Sequence, residues 1–228
     1  MLNDLEPFSE IVIVSFDYAG SLPLVDQIAL AHSLFAGYPR YASDFLAKPE
    51  VSNTPHLDAS NIAAHIGTIA DSFCILGVPE KELGGSMLER CSNLLTLRRA
   101  IREAGSELPV HVFGCLEPLS ILSYFLCGAD IFDGLSWLRF AYSCPKGLVS
   151  HGVTDTIVRG EWRYPDGELR AARWLRNLGV LRDLGEAMED YCENRSVRGL
   201  AAQEGLDEVL TLVTAAGLSL EGRGFDGW

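Results

Sequence analysis

PVHVFGCLEPLSILSYFLCGADIFDG, residues Pro109 to Gly134, reads as one strand–helix–strand unit. Val110 to Phe113 is a short apolar run closed by Gly114. Pro118 opens a short helix reaching Phe125, and Cys127-Gly128 ends it. Ala129 to Phe132 is a second apolar run, and it delivers Asp133-Gly134 at its C-terminal end. Short apolar runs alternating with helical patterns point to an α/β fold with parallel strands.

The same alternation extends upstream. Ile11 to Phe16 is rich in β-branched residues and runs into the turn Asp17-Tyr18-Ala19-Gly20; Leu24 to Phe35 then has amphipathic helical spacing. Asp44 to Lys48, stopped by Pro49, carries a weaker strand pattern. Asp58-Ala59-Ser60-Asn61 caps a helix running to about Ala70. Phe73 to Val78 is a buried strand, and Ser86 to Ala104 is a long helix with Gly105 as its stop. After Trp137 the character changes. Cys144 to Gly167 reads as irregular, Glu168 to Asn194 as helical, and Gly205 to Ala216 as a final helix. The expected architecture is a partial or atypical (β/α)8 barrel of the TIM type over residues 1–142, with an irregular segment and helical extension over 143–228. A complete barrel of this type takes about 250 residues.

In parallel α/β folds chemistry sits beyond the carboxyl ends of the strands. Those ends carry Asp17, Lys48, Glu80, Cys115 with Glu117, and Asp133. Asp before Gly is also a common turn residue. Two aspartates at equivalent strand ends favour function over that plainer account. Lys48 and Glu80 suit a mutual ion pair as well as a substrate contact. His111, inside a strand, reads as a hydrogen-bonded core histidine.

The whole-chain balance narrows the function. The 228 residues carry a net charge of -13, which argues against unaided grip on long nucleic acid, because neutralised phosphates supply most of that affinity. The arginines between Arg159 and Arg198 are interleaved with acids and read as a solvated helical surface. No run approaches the roughly 18–20 apolar residues that cross a bilayer. The acidic N-terminus lacks the basic start of a signal peptide, so the expected location is cytoplasmic and no membrane is involved. Six cysteines without paired spacing read as small buried hydrophobes.

The run Pro109-Val-His-Val-Phe-Gly114, then Pro118, then Gly128-Ala-Asp-Ile-Phe-Asp-Gly134 resembles the tRNA-guanine transglycosylase family. Phe-Asp-Gly-Leu-Ser-Trp is closest to the branch with archaeal-type enzymes and relatives that insert 7-deazaguanines into DNA. The resemblance covers roughly residues 11–142, with an echo from Asn177 to Tyr191. It implies that Asp133 is the nucleophile, forming a covalent glycosyl intermediate while guanine is exchanged for a 7-deazaguanine base in tRNA or DNA. It implies that Asp17 recognises the base and that Arg139 positions a phosphate or orients Asp133. Gly77, Glu80 and Gly114 become strand-end substrate contacts. No cofactor is expected.

Two family motifs are absent from the sequence: the Asp-Ser-Gly-Gly-Phe motif of a second catalytic aspartate, and the CxCxxC zinc motif with its histidine. Cys144 and His151 alone do not make a tetrahedral zinc site, so no metal is expected. A second chain or a second copy is expected to complete the barrel. The alternatives are a non-catalytic binding or scaffold subunit of such a complex, and an enzyme acting on free nucleosides.

Overall fold

In the computed structural model, the described residues are 13–17, 22–50, 55–142, 149–194, 200, 203 and 205–219. Five strands form one parallel sheet: β1 (Ile13–Ser15), β2 (Ala42–Leu46), β3 (Ile75–Pro79), β4 (Val110–Phe113) and β5 (Ile131–Phe132), in the spatial order β1-β2-β3-β4-β5. That singly wound order follows the chain without reversal. It is the order of a barrel segment, whereas a doubly wound sheet switches direction part-way. Mixed α/β architecture consistent with a partial barrel is therefore present, with the second strand that the sequence showed only weakly.

The backbone divides into two compact units, Met1–Phe113 with Ala129–Ile131, and Gly114–Gly128 with Phe132–Trp228. In the first unit, α1 (Leu24–Phe35) buries Leu24, Gln27, Ile28, Ala31 and Phe35, a stripe at helical spacing. Gln27 is fully buried yet satisfied. Its amide donates to the carbonyls of Leu22 (2.7 Å) and Lys48 (3.0 Å) and accepts the Lys48 N–H at 3.0 Å. Phe45 stacks on Phe73 with centroids 4.9 Å apart, under the edge of Phe35.

The helix expected to run from Asp58 to Ala70 is two helices, α2 (Ala59–Ala64) and α3 (Ile66–Ser72). His65 breaks them, with φ -106 and ψ 7 and its Nδ1 2.9 Å from the Asn61 carbonyl. The Asp58 cap is as expected, accepting from the N–H groups of Ser60 and Asn61 at 3.0 Å. α4 (Met87–Glu103) starts on Ser86, whose Oγ accepts the Glu89 N–H at 3.1 Å, while Glu89 accepts the Gly85 N–H at 2.8 Å. Gly105, at φ +68, stops it; the Ser106 N–H then reaches the Ile101 carbonyl, closing the final turn. Near the end of α4, buried Arg98 pairs with Asp130, which also accepts the Val110 N–H at 2.7 Å. Burial pushes the Asp130 carboxyl above its ordinary value, outweighing the opposing pull of Arg98 and of the Val110 N–H.

In the second unit, α5 (Pro118–Leu126) packs against α8 (Asp166–Asn194) and α9 (Leu206–Ala215). Phe125 meets Tyr191 edge-on at 5.6 Å. α6 (Ser136–Arg139) leads into a small antiparallel pair, β6 (Phe140–Ala141) with β7 (Ser150–His151). The region expected to be irregular from Cys144 to Gly167 contains α7 (Gly152–Val158) as well as β7. Cys144 lies outside the described residues. Cys91, Cys115 and Cys127 are buried, as expected; Cys74 is exposed and Cys192 intermediate. Among the described residues no helix is long and apolar enough to cross a membrane.

Candidate functional site

Asp133 sits directly beyond β5 and is exposed. Its Oδ1 accepts the backbone N–H of Gly114, the residue beyond β4, at 2.7 Å. Gly114 has φ +80, a left-handed conformation that any side chain would strain. A Cβ at Gly134 would lie 3.2 Å from both the Gly114 carbonyl carbon and the Leu116 Cβ, tighter than ordinary packing. The two glycines that close the strands thus let their loops approach, and the carboxylate bridges them.

The segment that follows Asp133 is held on α8. Asn177, fully buried, accepts the Tyr142 N–H at 2.9 Å and donates to the carbonyls of Trp137 (2.6 Å) and Phe140 (2.7 Å). Trp174 donates to the Leu138 carbonyl at 3.0 Å and meets Trp137 edge-on at 6.2 Å. The Tyr142 hydroxyl bonds the Leu116 carbonyl and, at 2.7 Å, the Ser136 hydroxyl, tying the loop after β4 to α6. Burial pushes the Tyr142 phenol up to about 12. Asn177 and Trp174 were missed by sequence reasoning. The sequence offered only the echo of the resemblance from Asn177 to Tyr191, which assigned neither residue a role.

Arg139 is exposed and makes no hydrogen bond or ion pair to Asp133. It borders a cavity of about 430 Å³ together with Arg170, Arg173 and His151. Glu117, a strand-end candidate, is spent locally: its carboxylate caps α5 by accepting the N–H groups of Leu119 (3.3 Å) and Ser120 (2.8 Å). Cys115 is buried.

The remaining candidates belong to the first unit. Asp17, with a largely exposed side chain, lies 3.2 Å from Lys48 Nζ, which is also 3.6 Å from Glu82. Lys48 and Glu80 do not pair with each other: Glu80 takes Arg90 at 3.4 Å instead. The difference arises because Glu80–Glu82 form a single 3-10 turn that sends Glu82, not Glu80, toward Lys48. Gly77 lies opposite His111 in register, and its bare α-carbon is covered. A Cβ there would come to 2.6 Å from both Asp44 Oδ1 and the Phe113 ring. His111 is the core histidine that the sequence suggested. It is buried, 2.7 Å from Asp44 Oδ2, which also accepts the Ser15 hydroxyl at 2.9 Å. A second cavity, about 410 Å³, is bordered by Lys48, Glu50, His56, Asn61, Glu89 and Asn93.

Chemically, the second unit offers an oriented, solvent-facing carboxylate, and the first offers a carboxylate–ammonium–carboxylate cluster at its strand ends. Among the described residues no three His, Cys, Asp or Glu side chains converge to hold a metal ion. No protein-family model matches this sequence, and no curated protein matches it.

Proposed function

We infer that this chain is a subunit of a base-exchanging transglycosylase acting on nucleic acid, tRNA or DNA, with Asp133 as nucleophile. The observation that carries the reading is the exposed Asp133 carboxylate at the end of β5, one oxygen anchored by the Gly114 N–H at 2.7 Å. An anchored oxygen fixes the carboxylate plane, which is the orientation a covalent nucleophile needs. In the first half-reaction a carboxylate oxygen bonds to C1′ as the C1′–N9 bond breaks, its electron pair leaving with guanine. In the second, an incoming 7-deazaguanine reverses those events and restores the carboxylate. An aspartate suits both directions, being a weak nucleophile and a competent leaving group.

In this reading Asp17 accepts hydrogen bonds from the base's N1–H and exocyclic amine, and Lys48, 3.2 Å away, orients that carboxylate. Arg139 positions a phosphate. The target base must leave its stack to be reached. The sheet is then five strands of a TIM-type (β/α)8 barrel, and a second chain or second copy supplies the rest together with the second catalytic aspartate.

A non-catalytic binding or scaffold subunit is the second reading, and one observation favours it. The Gly77 surface that would lie along a bound base is occupied by Asp44 and Phe113. The deciding experiment follows isotope-labelled guanine into bulk tRNA and DNA, with the chain alone and with host extract lacking it. Label that appears with wild type and disappears with Asp133→Asn supports the enzyme. Label independent of Asp133 leaves the scaffold reading in its place.

A further inference from the structure

Arg139, Arg170, Arg173 and His151 border one cavity of about 430 Å³ in the second unit. Elsewhere in that region Arg159 and Arg176 bind the buried Asp155 at 2.7 and 3.1 Å, and Arg182 binds Asp183 at 3.0 Å on the surface. Arg139, Arg170 and Arg173 differ. No ion pair or side-chain hydrogen bond joins any of them to another described residue, although the chain's net charge is -13. Asp166 is the one carboxylate bordering the cavity, so three guanidiniums face a single acid.

The Arg173 guanidinium is built in rather than left over. Its Nε is buried and has no acceptor. The guanidinium lies directly against Gly152, where a Cβ would overlap Nη1. Glycine at 152 is thus what lets a charged group lie across the start of α7, in the wall of the cavity. Clustered, permanently charged forks with unused donors match the oxygens of a tetrahedral dianion or of a phosphodiester, which take several N–H bonds at once. Buried Leu169 backs the arginines in the lining of the cavity.

We propose that this cavity is a phosphate-binding site, taking either a phosphodiester of a nucleic-acid backbone or a free phosphate group. The assignment does not rest on base exchange, and it holds whether or not Asp133 is a nucleophile. Three probes are titrated calorimetrically into the full chain: inorganic phosphate, a nucleoside 5′-monophosphate and a short single-stranded oligonucleotide. The variants are Arg173→Gln, Gly152→Ala and, as a control away from the cavity, Arg163→Gln. Saturable binding is expected for wild type and Arg163→Gln. Loss of one charge-assisted contact in Arg173→Gln weakens it about tenfold or more. Gly152→Ala, which displaces the guanidinium while keeping the charge, weakens it too.

Circular dichroism on each variant separates lost binding from lost folding, and Arg170→Gln, an exposed change, repeats the test without touching the core. Oligonucleotide competing more strongly than the monophosphate identifies the backbone as the source, and the reverse identifies a free phosphate. Failure of all three probes to bind wild type overturns the proposal, as does binding that is equal in wild type, Arg173→Gln and Arg170→Gln.

Discussion

Asp130 shows how much a single side chain is asked to do. Its Oδ2 accepts the Val110 N–H and the guanidinium of buried Arg98 together. Asp130→Ala leaves that guanidinium in the core without its carboxylate, and the expected cost is about 3 kcal/mol. Asp130→Asn keeps an acceptor for Val110 and should cost less than the alanine. Urea denaturation of the three proteins checks this; equal midpoints for wild type and Asp130→Ala would show that the pair contributes nothing. Tyr142 gives the matching test with pH. Its phenol moves from 10.0 to about 12 on folding, through burial. A raised folded value means a stabilising contribution present in full below pH 10.0 and lost as pH rises through about 12. Thermal melts across that window should fall more steeply for wild type than for Tyr142→Phe. Parallel slopes would remove Tyr142 as the cause. Roles of this kind were unevenly legible in sequence. His111 could be placed in the core because its neighbours on both sides are apolar. Glu117 could not be separated from a strand-end candidate, because a cap and a catalytic acid occupy the same position just before a proline-led helix.

α8 carries more of the second unit than its surface-like composition suggests. Asn177 satisfies three backbone groups between Trp137 and Tyr142. Asn177→Leu buries those groups unpaired, at about 1–3 kcal/mol each. Hydrogen exchange should then show the amides of 137–142 opening while α4 stays protected. Unchanged exchange in that segment would mean the Asn177 bonds do not hold it. Glu117→Ala makes the complementary case: losing the α5 cap should cost about 1 kcal/mol in urea denaturation, and the base exchange proposed for Asp133 should be unaltered. Helices and strands whose apolar spacing is regular, such as α1, α4 and β4, were legible almost to the residue. β2 was faint because buried Ser43 and Asp44 interrupt its apolar run, and Asp44 is met by Ser15 of the adjacent β1 and by His111 of β4, two strands away. α7 was unreadable among the glycines and prolines around it. The break at His65 left no mark because histidine is an acceptable helix residue.

Among the described residues β1 and β5 each have a neighbouring strand on one side only, and open edges of this kind are managed in native proteins by covering or shortening them. The described part of β1 is three residues long and β5 is two. A short edge such as β5 limits adventitious pairing, and under the proposed eight-stranded barrel three further strands would complete closure. Apolar side chains are also exposed in the second unit, among them Val153, Val158, Trp162 and Leu175. A net charge of -13 opposes tight unaided binding of a polyanion at separations within the Debye length, about 8 Å at physiological salt, beyond which it is screened. Edges, apolar surface and charge are the features on which the proposed partner rests. If a second copy completes the barrel, light scattering should give about twice the 24.9 kDa of one chain. If a different chain does so, the purified protein should be monomeric and bind tRNA and DNA only weakly, above about 10 μM at physiological salt. Host extract should then restore tight binding. A monomer that by itself binds either polymer in the nanomolar range would eliminate both forms of the partner, and the acidic surface would have to be outweighed locally, with the Arg139–Arg170–Arg173 cavity as the first place to look.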